Sequence, residues 1–384
     1  MSTGTGLKGV VLDESHISLV DGEAGKLVYR GYNIHDLAQH ATFEETAYLL
    51  LYGALPDQGE LEDFDRALKA GRHIPESVIG IMESVKAAHP MDVLRTAVSA
   101  AVALDENSHE ATVEVGLPVG IKLISQIATI VATMHRQRNG LEPVAPRDDL
   151  GHAANFLYMM FGREPSREDA KIIDLDLVLH AEHSSNASTF AARVAAGTAA
   201  DLGSAIVAAI ATLKGPLHGG AAEAVQKTVE EIGDPDKAIE FIRERIEAGD
   251  KVMGFGHRVY KTDDPRAIEL RGVARDLGHE RGNDRWFQIL QEIEKAMEPY
   301  REKGIYPNVD FYAGAVYSLL GIPEEQFIPM FAVGRMPGWV ANVLEQYEDN
   351  VLIRPLLEYT GPRHRKYVPI EERSVERLRV RASA

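Results

Sequence analysis

The sequence has no cysteine. That absence excludes disulfides, thiol nucleophiles, thiolate zinc sites and Cys-ligated iron–sulfur clusters, and it fits a reducing compartment. Positive charge is scarce: 41 Lys and Arg stand against 58 Asp and Glu, for a net charge of −17. Such a chain is a poor binder of nucleic acid or anionic membrane. Long apolar runs are lacking too. The run at 202–213 has about a dozen residues where a membrane span needs roughly 20, so a core helix is expected there and no membrane association. Residues 1–8 carry neither an apolar signal core nor an Arg-rich amphipathic stretch, and cytoplasmic residence is expected.

The 384 residues, 45% of them apolar, exceed what one core usually supports, so two domains are expected. Ile17–Val20 and Lys26–Arg30 flank Asp21-Gly-Glu-Ala-Gly25 and read as a β-hairpin. The rest reads as helix. Thr42-Phe-Glu-Glu45 is a capping box before an apolar run that Gly53 stops. Helices are expected at 150–161, 167–180 (capped by Ser166), 236–248, 283–303, 311–320, 323–331 and 338–346. The Ala-rich stretch 186–213 suits close helix packing, in the core or at a subunit interface. From Glu358 onward the chain reads as an irregular tail. The fold class is mostly α with a minor N-terminal β element.

Three segments set a proton-transfer group beside glycine or proline: Pro216-Leu-His-Gly-Gly220, Gly254-Phe-Gly-His257 running on to Asp264-Pro-Arg266, and Tyr306-Pro-Asn-Val-Asp310. Turns of this kind present reactive side chains. Two histidines and a carboxylate near arginines suit acid–base chemistry on a small anion. The plain alternatives are a structural His218 and an N-capping Asp310. Gly254-Phe-Gly256 is no dinucleotide fingerprint, because residue 259 is valine and no β-α-β context surrounds it. His180-Ala-Glu-His183 puts two histidines on one expected helix face, but the spacing is wrong for a zinc protease and no metal is expected. Arg335 and Arg354 sit among apolar residues and call for anionic partners, a dicarboxylate held by guanidinium forks being the sharper reading.

These segments, with Gly6–Val10, Tyr29–Tyr32, Leu179–Thr189 and Leu352–Pro355, resemble the citrate synthases of bacteria and archaea over nearly the whole chain. The resemblance implies a large helical domain (1–219 and 321–384), a small one (220–320) that closes over substrate, and a homodimer whose subunits complete each other's active sites. It carries His218, His257 and Asp310 onto the catalytic triad. His183, His257, Arg266 and Arg335 fall on the oxaloacetate site, with Arg354 supplied by the partner subunit. Lys251, Val252, Met253, Gly254, Phe255, Gly256 and Asn308 fall on coenzyme A contacts. Lys261 and the basic run 363–366 are further candidates for the coenzyme A phosphates on charge alone.

The implied reaction condenses acetyl-CoA with oxaloacetate. Asp310 would take a methyl proton, His218 would stabilise the enolate oxygen, and His257 would polarise the ketone. Acetyl-CoA would be a co-substrate, with no permanently bound cofactor. A 2-methylcitrate synthase using propionyl-CoA would need the same residues. A helical scaffold without activity is disfavoured, because all three proton-transfer positions are intact.

Overall fold

The computed structural model describes residues 5–7 and 9–373. The last part of the expected tail, 374–384, lies outside the described residues. Residues up to 352 form one compact unit, and 353–373 belong to a second. The second unit has no helix or strand beyond a single 3-10 turn, Ile370–Glu372, among its described residues.

The first unit opens with a three-stranded antiparallel sheet: β1 (Ser18–Asp21), β2 (Lys26–Tyr29) and β3 (Tyr32–Asn33). Ser18 pairs with Tyr29 and Asp21 with Lys26, so the expected hairpin forms. Sixteen α-helices follow among the described residues: α1 (Ile34–His40), α2 (Phe43–Tyr52), α3 (Gln58–Ala70), α4 (Glu76–Val85), α5 (Pro90–Ala103), α6 (Val113–Arg138), α7 (His152–Phe161), α8 (Arg167–His180), α9 (Ala187–Ala196), α10 (Leu202–Leu213), α11 (Ala221–Ile232), α12 (Pro235–Glu247), α13 (Pro265–Glu280), α14 (Asp284–Met297), α15 (Val309–Leu319) and α16 (Phe327–Glu348). The mostly α reading therefore holds. Local chemistry sets several starts. Thr42 and Glu45 form the expected capping box of α2, and Ser166 accepts the Asp169 N–H at the start of α8.

The core is built on α6 and α16, which pack on each other, with α9 and α10 against them. The Ala-rich stretch is two helices that pack closely. Gly203 of α10 lies so near Val102 of α5 that a Cβ would fall 2.3 Å from its side chain. α6 is long and apolar enough to cross a membrane by length and composition, yet 78% of its most apolar stretch is buried within the protein. Pro118, Lys122 and Gln126 interrupt its apolar sequence, so no long apolar run marks it. α11 to α15 pack chiefly on one another and meet the rest through α11–α16, α13–α8 and α13–α1 contacts.

One expected break is absent. Helices were expected at 323–331 and 338–346, but α16 runs unbroken through Pro337. Proline normally breaks a helix by removing a donor and crowding the preceding turn. Here the next amide, Gly338 N–H, donates out of the helix to the Ala181 carbonyl at 3.1 Å. The local disturbance thus ties α16 to the segment that carries His183.

Candidate active site

His218 sits in the turn between α10 and α11, where its N–H donates to the Gly215 carbonyl at 2.8 Å. Its Nε2 accepts the Ser188 backbone N–H at 3.3 Å and lies 2.8 Å from Ser188 Oγ. Asn186, which caps α9, holds that residue in place: its Oδ1 shares the Ser188 N–H with His218 Nε2, at 3.1 Å, and lies 2.8 Å from Ser188 Oγ. An Nε2 that accepts a backbone N–H cannot carry the proton, so the neutral ring is protonated at Nδ1. Burial, and then the charge of Arg335, push the His218 pKa down to about 4. His218 is a neutral Nδ1–H donor at physiological pH.

His257 has the opposite tautomer. Its Nδ1 accepts the N–H groups of Val259 and Tyr260, both at 3.0 Å, which leaves the proton on Nε2. Burial and Arg266 hold this pKa at about 4 as well. The turn needs glycine on both sides of Phe255, because Gly254 and Gly256 have φ of +80° and +82°, a region that side chains disfavour. This turn is stitched to the start of α15. Gly256 N–H donates to Tyr306 O, Asn308 N–H to Gly254 O, and Asn308 Nδ2 to Gly256 O at 3.1 Å.

The same stitching positions Asp310. Asn308, not Asp310, caps α15, and its Oδ1 accepts the Asp310 N–H at 3.1 Å. The simple N-cap reading of Asp310 is thereby replaced. Its carboxylate has no hydrogen-bond partner among the described residues. Desolvation raises its pKa to about 6, against the opposing charges of His180, Arg266 and Arg335. An ionisable acid kept without a partner and tuned toward neutrality is characteristic of a proton acceptor.

His183 lies beyond the end of α8. Its ring centroid is 5.1 Å from that of His257, and its Nε2 is 3.3 Å from the Tyr260 hydroxyl. Burial, then Arg266 and His257, lower its pKa well below the ordinary value. His180 does not share a helix face with it, because α8 ends at His180. His180 instead turns inward, with Nδ1 2.9 Å from the Asp176 carbonyl and its ring against Phe331. Among the described residues no group of three or more histidines or carboxylates is arranged to hold a metal ion.

Two buried arginines complete the cluster. Arg335, 1% exposed, donates from Nε to the His180 carbonyl at 2.6 Å and lies over the Phe331 ring. Its Nη2 is buried without a partner among the described residues, and burial lowers its pKa to about 10. A buried guanidinium nitrogen of this kind can donate to an anionic group. Arg266 is engaged on one side, donating Nε and Nη2 to Asp264 at 3.0 and 2.8 Å. Burial works against its charge, and the Asp264 carboxylate more than offsets this, holding the guanidinium above its usual value.

Of the remaining expected residues, Gly254 is buried, Val252, Met253, Phe255, Gly256 and Asn308 are half-buried, and Lys251 and Lys261 are exposed. Arg354 is an exposed residue of the second unit. Several contributors escaped the sequence reading. Ser188 and Asp264 stand inside quoted motifs, Ser188 in the first turn of α9 and Asp264 as the cap of α13, and those places at helix starts were the available signal. Glu182 is fully buried between two singled-out histidines. Its carboxylate accepts from Ser18 Oγ at 3.0 Å and Asn342 Nδ2 at 3.1 Å, and burial raises its pKa to about 7. A cavity of about 490 Å³ near Glu44, Leu61, His152 and Asp174 contains none of the expected site residues.

The family model described as citrate synthase, C-terminal domain, matches residues 6–356. A citrate synthase of Deinococcus radiodurans is 47% identical over 96% of this chain and 98% of its own length. A protein of Corynebacterium glutamicum named 2-methylcitrate synthase 1 is 40% identical, over 96% of this chain and 98% of its own. Citrate synthase of Thermoplasma acidophilum, solved as a ternary complex with carboxymethyl coenzyme A and oxaloacetate, superposes with a TM-score of 0.92 at 35% identity, covering 97% of this chain and 100% of that one. The chain belongs to the citrate synthase family of enzymes.

Proposed function

We propose that the cleft formed by His183, His218, His257, Arg266, Asp310 and Arg335 condenses acetyl-CoA with oxaloacetate and water to give citrate and coenzyme A. The observation that carries this reading is the pairing of two neutral histidines of opposite tautomer with an unpartnered carboxylate. Asp310 removes a proton from the acetyl methyl group. His218 donates Nδ1–H to the thioester oxygen as the enolate develops, a type of interaction worth about 2.7–4 kcal/mol in the transition state. His257 donates Nε2–H to the ketone oxygen of oxaloacetate, making its carbon electrophilic. The enol carbon attacks that carbon, and water then cleaves the resulting citryl thioester.

Arg335, through its unpartnered Nη2, and Arg266, through the nitrogen that Asp264 leaves free, bind the carboxylates of oxaloacetate with His183. Arg354 comes from the second subunit of a homodimer. The turn 252–256, Lys251 and Asn308 receive coenzyme A, and Lys261 faces its phosphates. Residues 220–320 form the small domain, which closes on the rest and keeps water from the enol. No cofactor is bound permanently, and the enzyme works in the cytoplasm.

The deciding experiment measures coenzyme A release with oxaloacetate, comparing acetyl-CoA with propionyl-CoA. Acetyl preference supports the reading. Propionyl preference replaces it with 2-methylcitrate synthesis by the same residues, a reading that the similarity to the Corynebacterium protein keeps open. Release from neither would refute condensation.

A further inference from the structure

We propose that the N-terminal β1–β2 hairpin is a stop that sets how the His257–Arg266 side meets the His183 side when the cleft is closed, with Gly22 as its positioning residue. The proposal rests on the reading of this cleft as an oxaloacetate site.

The root of the hairpin grips the residues around His183. Ser18 Oγ donates to Glu182 Oε1 at 3.0 Å and accepts the Ser184 N–H at 3.1 Å, while Tyr29 OH donates to the Glu182 carbonyl at 2.9 Å. The tip meets the loop that follows His257. Lys261 N–H donates to Gly22 O at 2.9 Å. A Cβ on Gly22 would lie 2.2 Å from the Val259 carbonyl oxygen and 2.7 Å from its carbon. At Gly25 it would lie 2.8 Å from Thr262 Cγ2 and 3.1 Å from Asp263 O.

These contacts bracket the chemistry. Val259 and Tyr260 supply the amides that fix the His257 tautomer. Asp263 precedes Asp264, the partner of Arg266. The link between root and tip is short and stiff. Ser18 to Asp21 spans three residue steps, about 10 Å at the usual rise of a strand, and every position is paired with β2. The Asp21 carboxylate ties the tip by accepting the Glu23 and Ala24 N–H groups at 3.1 and 2.9 Å. Gly22 is not among the residues of positive φ. Alanine fits its backbone conformation, and only the approach of the Val259 carbonyl requires glycine.

A methyl group at position 22 must therefore displace backbone rather than a flexible side chain, and a shift of about 1 Å in a binding group can cost about 10²-fold. In steady-state coenzyme A release, Gly22→Ala is expected to raise the KM for oxaloacetate about 10- to 100-fold, with a smaller fall in kcat. Its ligand-free melting temperature should stay near that of the wild type, while the rise in melting temperature on adding oxaloacetate is lost. The exposed neighbour Glu23, substituted by alanine, should match the wild type in all three. A folded Gly22→Ala with wild-type KM overturns the proposal.

Should that variant fail to fold, hydrogen exchange on the wild type decides. The Lys261 amide must be protected with oxaloacetate bound, and exchange at the rate of an unstructured amide overturns the stop. A wild type that releases coenzyme A from neither thioester and shows no thermal shift with oxaloacetate refutes the functional reading itself. The stop then stands or falls on the Lys261 amide of the free enzyme.

Discussion

Ser188 meets His218 Nε2 twice, through its backbone N–H at 3.3 Å and its hydroxyl at 2.8 Å, and the same hydroxyl accepts Trp339 Nε1–H at 3.1 Å. The backbone contact sets the tautomer, and the hydroxyl steadies the ring and satisfies a buried tryptophan. Ser188→Ala keeps the first and removes the second. The kcat for coenzyme A release should fall by roughly 3- to 10-fold, the worth of one ordinary hydrogen bond. Denaturant unfolding should show a loss of about 1–3 kcal/mol, because the Trp339 N–H is left buried and unpaired. Unchanged turnover would remove the hydroxyl from any part in orienting His218.

Asp310→Asn should lower kcat by about 10²–10⁴-fold, the usual contribution of a placed base. Stability should move the other way. A carboxyl whose folded pKa is raised contributes favourably at low pH and loses that contribution as pH rises through the folded value, about 6 here. The amide carries no such loss. At pH 8 the variant should therefore be as stable as the wild type or more so, with the difference shrinking toward pH 4. Near-normal turnover in a folded variant would rule Asp310 out as the base.

The pH profile follows from the same group. Asp310 must be ionised to act, so kcat/KM for acetyl-CoA should fall about tenfold per pH unit below about pH 6. His218 and His257, both held at about 4, must be neutral and add no further limb until lower pH. An acid limb near 6 that survives in Asp310→Asn would assign the titration to another residue.

Arg335 reads as a fork with one arm on the His180 carbonyl and Nη2 free. Lysine keeps the charge and loses the geometry. Arg335→Lys should raise the KM for oxaloacetate by about 10- to 100-fold, as expected when a charged hydrogen bond of roughly 1.5–3 kcal/mol is lost. The KM for acetyl-CoA should change much less. Equal rises for both substrates would indicate general disturbance of the core.

Local rules made the hairpin, the α2 capping box and the Ser166 cap legible, because each depends on residues a few positions apart. The turns that present His218 and His257 were legible for the same reason: glycines at 219, 220, 254 and 256 have few other uses at such density. The continuity of α16 was not. Pro337 is a breaker by any local rule, and only the distant Ala181 carbonyl, which accepts the Gly338 N–H, shows how the helix accommodates it. Glu182 was hidden similarly. It stands in sequence between Ala181 and His183, whereas its partners Ser18 and Asn342 lie 164 and 160 residues away. The tautomers of His218 and His257 depend on backbone amides, which carry no mark in the sequence.

Arg354 poses the sharpest question, since it is proposed to serve the other subunit of a dimer. Complementation can answer it. Asp310→Asn and Arg354→Ala are each expected to be nearly inactive, the second through a large rise in the KM for oxaloacetate. If Arg354 crosses to the partner, a mixed dimer has one site with both defects and one with neither. Random reassortment puts half of the dimers in the mixed form, so equal mixing should restore about a quarter of wild-type activity, as two-fold symmetry requires. If Arg354 serves its own subunit, every site in the mixture is defective and no activity returns. The recovered fraction, read as coenzyme A release after unfolding and co-refolding the two variants, with wild type treated alike, separates the two arrangements. A single-chain mass in solution would refute the shared site outright.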